Sequence, residues 1–225
     1  MYTFLGKINQ FYKFNANCKD SEKTGKGPGS CGGSKDTITE LPYSDYEYEE
    51  SESNIANSEK LYDTASEEEI DAIDSWSRGE YERINNAIFG KSDMTSNIES
   101  TINELDSILD RSTVEKPITL YRGVSEEDFI DMQKKFKLGN IVYKGFMSTT
   151  PDRNEANSFS ESGEDKKDLL VRIEAKPGIK ALRLTNTWSR HSDENEYILG
   201  RNQKFVFKGI LENDEAKYIQ LEFTE

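Results

Sequence analysis

Residues 117–123 read Pro-Ile-Thr-Leu-Tyr-Arg-Gly, and the chain changes character there. Upstream, apolar residues recur every three or four positions. Downstream they come in short β-branched or alternating runs. Pro117 lacks an amide proton and suits the head of a strand, Ile118, Thr119 and Tyr121 favour a pleated surface, and Gly123 ends the run. Helices first and strands after point to an α+β domain with an antiparallel-rich sheet, since βαβ units would alternate the two.

Working back from Pro117, Ile98, Ile102, Leu105, Ile108 and Leu109 fall on one helical face, with Asp93 or Ser96 as its cap. Before that, Ser66 and Glu69 form a capping box. It opens a periodic run through Ile70, Ile73, Ser77, Tyr81, Ile84 and Ile88. Arg78-Gly79 interrupts this run, so a broken pair of helices is expected. Together these helices span residues 66–110.

Working forward, Phe129 to Phe136 reads as one helix, Gly145 to Thr149 as a strand and Glu155 to Ser160 as a helical turn. Leu169–Ala175 alternates, with Val171, Ile173 and Ala175 on one face and Arg172 and Glu174 on the other. Ile179–Leu184, Tyr197–Leu199, Lys204–Leu211 and Ala216–Phe223 complete the strands, the last with Ile219, Leu221 and Phe223 inward.

Composition narrows the function. The 225 residues are 34% hydrophobic and 32% charged, with a net charge of −14. No run of about 18 apolar residues exists, so no membrane span is expected. The acidic balance argues against a nucleic-acid partner held by counterion release. One histidine and two cysteines, Cys18 and Cys31, supply neither a disulfide framework nor the usual zinc ligands, so no metal is implied.

The charge is uneven. Residues 40–71 hold twelve acids against the single base Lys60, whereas residues 1–36 are mildly basic. Residues 25–34, Gly-Lys-Gly-Pro-Gly-Ser-Cys-Gly-Gly-Ser, have linker composition, and residues 36–60 are acidic with scattered Tyr. The chain therefore divides into a flexible Gly-rich and acidic tail, 1–59, and a folded domain, 60–225. Met1 to Asn17 lacks the pattern of a secretory signal and reads as an amphipathic anchor or partner-binding segment. Synthesis in the cytosol is expected, with dedicated secretion, virion packaging or injection all open.

Three features carry chemistry. Leu120-Tyr121-Arg122-Gly123 sets a permanently charged guanidinium at a strand end, beside a glycine that allows close approach to the backbone. Gly145-Phe146-Met147-Ser148-Thr149-Thr150 places three hydroxyls together. In Asp193-Glu194-Asn195-Glu196-Tyr197-Ile198-Leu199, a strand would put Glu194 and Glu196 on one face, a repulsive arrangement unless a cation sits between them.

In this order, and with Leu199, Arg201 and Phe205 following, the three features resemble the arginine–serine–glutamate class of mono-ADP-ribosyltransferases. Ala72 to Asn86 is similar to the helix-break-helix of the clostridial binary-toxin enzymes and related exoenzymes, and Thr101 to Gly123 is similar as well. The likeness covers residues 60–225 and leaves 1–59 unexplained.

The resemblance implies two antiparallel-rich sheets packed crosswise around an NAD cleft, with the N-terminal helices packed on them. It implies transfer of ADP-ribose from NAD to a protein, with nicotinamide released and no metal. By the same resemblance Glu196 matches the catalytic glutamate, Ser148 the serine that orients it, and Arg122 the arginine that holds the NAD phosphates. Phe159 matches an aromatic packing on nicotinamide, and Tyr81 and Asn85 match cofactor-lining positions. Gly123 belongs with the cofactor-binding set, and Glu194 matches the position where Glu accompanies arginine acceptors. Thr185 to Asp193 matches the acceptor-recognition turn, with Trp188 either touching the acceptor or anchoring the loop, and His191 structural or solvent-facing.

Some positions depart from the pattern. Thr150 stands where Ser is common, Gly200 stands where Pro is common, and the later arginine of the loop is replaced near Ser162, with Arg153 earlier and Lys166 and Lys167 beyond. Clostridial relatives modify actin, which makes actin one candidate acceptor. Two other readings stay open: an NAD glycohydrolase using the same site, and a non-catalytic module that residues 1–59 tether to a phage particle or delivery complex.

Overall fold

The computed structural model describes residues 12–13, 58–136, 140–161, 167–184, 188 and 195–224. The expectations for Cys18, Cys31 and the linker 25–34 lie outside the described residues.

The chain begins with β1 (Tyr12–Lys13) and α1 (Ser58–Tyr62). Then come α2 (Glu67–Ser75), a kinked segment (Trp76–Glu80), α3 (Tyr81–Ile88) and α4 (Ser96–Asp110). The strand region starts with β2 (Ile118–Gly123), followed by α5 (Glu126–Phe136), β3 (Ile141–Tyr143), β4 (Met147–Thr149) and α6 (Arg153–Ser158). It ends with β5 (Asp168–Ala175), β6 (Ala181–Arg183), β7 (Tyr197–Leu199), β8 (Gln203–Glu212) and β9 (Ala216–Thr224). The α+β class and the helices-then-strands order are as the sequence implies.

The expected break is present. Gly79 has φ 102, a left-handed conformation that glycine adopts without a Cβ clash, and it kinks the chain between α2 and α3. Three local details differ from expectation. Thr95 caps α4, its extended backbone letting Oγ1 accept from the Ile98 amide at 3.3 Å, whereas Ser96 is already helical and Asp93 lies too early. The strand expected from Gly145 begins only at Met147, because the Asn85 side chain takes both polar groups of the Phe146 backbone. β3, three residues long, is too short to show alternation in the sequence.

The strands form a six-stranded sheet, β1-β3-β8-β9-β5-β2, and a three-stranded sheet, β4-β7-β6. All pairs are antiparallel except β5 with β9. β1 brings residues from the expected tail onto the edge of the large sheet, where Tyr12 pairs with Val142 and Lys13 with Ile141.

The small sheet lies between two cores. Met147, Ala181, Tyr197 and Leu199 face the large sheet and pack with Leu120, Ile173, Ile219 and Leu221. Leu182 and Ile198 face the other way, onto Ile73, Trp76, Ile98, Ile102 and Leu105 of the helices. This is the period-two alternation of a strand buried on both faces.

One ionic cluster ties α2 to α4. The Ser66 hydroxyl accepts from the Glu69 amide at 3.1 Å, and Glu69 Oε2 accepts from the Ser66 amide at 3.0 Å. The same carboxylate accepts from Ser107 Oγ at 2.7 Å and from Arg111 Nη2 at 2.6 Å. Burial raises its pKa, but hydrogen bonds from Ser107, Ser66 and Arg111, with the Arg111 charge, hold it below the ordinary carboxylate value. A carboxylate depressed on folding adds stability above its unfolded value of about 4.3, and loses it as pH falls through the lower folded value. Glu69→Gln is expected to cost about 1–3 kcal/mol at pH 7 and to flatten the acid-induced loss of stability below about pH 4.3. Urea unfolding at pH 7 and pH 3.5 measures both effects.

Candidate active site

Two strands from different sheets meet at the site. Tyr121 of β2 and Thr150, just past β4, form an isolated antiparallel bridge. The Tyr121 amide donates to the Thr150 carbonyl at 2.7 Å, and the Thr150 amide donates back at 2.9 Å. The next residue on β2 is Arg122, whose Nη1 donates to the Ser148 carbonyl at 2.8 Å. Backbone pairing therefore brings the arginine and the serine together.

The three hydroxyls that follow Met147 have different fates. Thr149 Oγ1 donates to the Tyr197 carbonyl at 2.9 Å, and Thr150 Oγ1 accepts from the Asp152 amide at 3.1 Å. Ser148 Oγ is buried without a partner among the described residues, and so is Arg122 Nε. Enclosed polar atoms of this kind are uncommon in a finished core, and here two of them belong to residues lining one pocket.

Glu196 reaches the same place by strand parity. Ser148 pairs across with Ile198, and directly opposed residues share a face. Ile198 faces the helices, so Ser148 does too, and so does Glu196, two residues before Ile198. Glu196 is 9% exposed, and its Oε1 accepts from Trp76 Nε1 at 3.2 Å. Its carbonyl accepts from the Leu184 amide at 2.8 Å.

A pocket is lined by Tyr121, Arg122, Gly123, Ser148, Glu196 and Phe159, among others. Gly123 is there for packing. A Cβ at this position would lie 2.3 Å from the Ala156 carbonyl oxygen and 2.6 Å from the Phe159 carbonyl carbon. The close approach expected there is thus made by the end of α6, which seats Phe159 in the pocket wall, rather than by a ligand alone.

Other expected site residues take different positions. Asn85 does not line this pocket: Nδ2 donates to the Phe146 carbonyl at 3.0 Å and Oδ1 accepts from the Phe146 amide at 3.0 Å. The amide thus holds the peptide two residues before Ser148. Tyr81 also lies outside the lining, tilted against Trp76 at 6.0 Å. Trp188 is 3% exposed and meets Tyr62 edge-on at 4.9 Å, so of its two expected roles, acceptor contact and buried anchor, its burial fits the second.

Glu194 and His191 lie outside the described residues. The alternation expected through Glu194 and Glu196 does not run through Asn195, whose φ of 43 is left-handed, and β7 starts only at Tyr197. Arg153 pairs with Glu215 at 2.7 Å and Lys167 with Glu212 at 2.7 Å, so neither stands in for the missing loop arginine in the pocket lining. Sequence reasoning gave no role to Trp76.

The arrangement fits a dinucleotide. A fixed cation suits phosphates, a free hydroxyl and a carboxylate suit ribose hydroxyls, and an aromatic face suits a planar base. A family model described as ADP-ribosyltransferase exoenzyme matches residues 47–224. The chain belongs to this family. Its chemistry is NAD-dependent transfer of ADP-ribose.

Solved structures of ADP-ribosyltransferase toxins share the fold. Plx2a from Paenibacillus larvae superposes with a TM-score of 0.60 at 18% identity, covering 74% of this chain and 90% of that one. C3stau2 from S. aureus, solved with NAD, gives 0.56 at 14% identity, covering 75% and 94%. The enzymatic component C2-I of the C2 toxin from Clostridium botulinum gives 0.58 at 18% identity, covering 75% of this chain but 46% of its own. Among curated proteins nothing matches. No helix of the described residues is long and apolar enough to cross a membrane, and these residues contain no metal-binding group of acids, histidines or cysteines.

Gly123→Ala would push α6 and Phe159 off β2. NAD affinity, read by calorimetry, is expected to fall at least about tenfold, with a stability loss of about 1–3 kcal/mol from the added methyl.

Proposed function

We propose that this protein transfers ADP-ribose from NAD to an arginine side chain of a protein acceptor and releases nicotinamide. The observation that supports it best is the pair of enclosed, unpartnered groups, Ser148 Oγ and Arg122 Nε, in one pocket with the Glu196 carboxylate.

In this reading Arg122 holds the diphosphate, Phe159 packs on the nicotinamide, and Ser148 and Glu196 engage the adjacent ribose. The bond from C1 of that ribose to the nicotinamide nitrogen breaks, and nicotinamide leaves with the electron pair. The positive charge that develops on the sugar is opposed by Glu196, fixed in a half-enclosed site where a charge acts more strongly than in water. An acceptor guanidinium nitrogen then bonds to C1 and loses a proton to solvent.

Glu194 is assigned to the acceptor. A guanidinium with a pKa above about 12 is a poor nucleophile, and a carboxylate both orients it and draws off proton density, which a Gln amide does not. In the same proposal the acceptor is a host protein, with actin the first to test, and residues 1–59 tether the enzyme to a larger assembly.

Labelled NAD incubated with agmatine, with actin and with host lysate tests this. The wild type is expected to label agmatine and one lysate protein. Glu196→Gln should reduce both transfer and NAD hydrolysis by about 100-fold or more, the scale of a lost transition-state electrostatic contact. Glu194→Gln should remove transfer to agmatine while leaving hydrolysis. Nicotinamide release with no labelled acceptor would favour water as the acceptor.

A further inference from the structure

We propose that Trp76 is a positioning residue: its indole N–H holds the Glu196 carboxylate in the orientation that faces the reacting ribose. This rests on the reading of Glu196 as the carboxylate opposing the sugar cation. Trp76 does not line the pocket, so it acts through Glu196 rather than on the substrate.

The geometry is specific. Trp76 Nε1 lies 3.2 Å from Glu196 Oε1, across 120 positions of sequence, and the contact is buried. An indole offers one donor and no acceptor, and at 1% exposure its N–H has no route to bulk water. Without Glu196 it would be an orphaned donor in the core.

The ring itself is fixed. Phe146 meets it edge-on at 5.6 Å and Tyr81 tilts against it at 6.0 Å. Phe146 is in turn gripped by Asn85. The residue caps the C-terminal end of α2, just before the Gly79 kink. The backbone of Glu196 is fixed separately, through the Leu184 amide, and Arg183 Nε donates to Asn195 Oδ1 at 3.1 Å. Trp76 adds a directional hold on the side chain itself.

Two measurements test this on the full-length protein. The first needs no activity. With two tryptophans in the chain, the indole region of an 15N-labelled spectrum should show two N–H signals, and the one missing in Trp76→Phe identifies Trp76. Glu196→Gln, which removes the charge on the acceptor, should move that signal clearly and leave the Trp188 signal in place. An unmoved Trp76 signal would overturn the contact.

The second is kinetic. Trp76→Phe keeps the ring and removes the donor, and it should lower kcat for nicotinamide release about tenfold or more, with KM for NAD within about twofold, as for an interaction expressed mainly in the transition state. An unchanged kcat would overturn the positioning role, and so would equal changes in both constants with a matching drop in Tm. If the wild type shows no NAD cleavage at all while the indole signal responds to Glu196→Gln, the enzymatic reading fails and the Trp76–Glu196 contact stands.

Discussion

The site depends on one two-way backbone bridge. Tyr121 and Thr150 belong to strands of different sheets, yet each amide donates to the other's carbonyl. Arg122 is one step along the first strand and Ser148 two steps back along the second, so the bridge fixes their spacing before any side chain acts. The Arg122 contact to the Ser148 carbonyl then locks the pair. Side chains placed by paired backbone are held more tightly than side chains on free loops.

The small sheet divides the remaining labour. Its strands bury both faces, so each residue is assigned to one core or the other by parity. Tyr197 and Leu199 support the large sheet, while Ser148 and Glu196 turn toward the helices. That is why helical residues reach the site from behind: Trp76 to the carboxylate of Glu196, and Asn85 to the peptide of Phe146. The helices form a wall that sets the position of the acid.

Much of this was legible in the sequence. The capping box at Ser66 and Glu69, the break at Gly79 and the alternation of Leu169–Ala175 are local signals, written within a few residues, and each appears in the fold. Arg122, Ser148 and Glu196 stood out by residue type and order, and they converge on one pocket. The parts that were not legible depend on distant partners. Nothing in the spacing of Trp76 distinguishes a core ring from one whose N–H reaches a carboxylate 120 positions away. Asn85 was matched to a cofactor-lining position, and Trp188 to an acceptor contact or a loop anchor, by resemblance, and a matched motif does not reveal the neighbour that covers a side chain. β3 was too short to alternate, and its pairing with β8 is what defines it.

The acidic balance also takes on a more limited meaning. Net charge −14 opposes the approach of an anionic dinucleotide. Screening limits that repulsion to about 8 Å at physiological salt, so distant acids count for little. Several acids are also paired within the fold: Asp106 with Arg201, Glu69 with Arg111, and Glu222 with Lys176 and Lys208. Arg122 instead uses Nη1 on a neutral carbonyl and keeps an enclosed Nε without a partner among the described residues. A guanidinium bonded to a carbonyl has no counter-charge in that bond, whereas one paired with a carboxylate belongs to a net-neutral pair. The local field at this wall of the pocket therefore depends on what Arg122 is bonded to, and net charge is a poor guide to it.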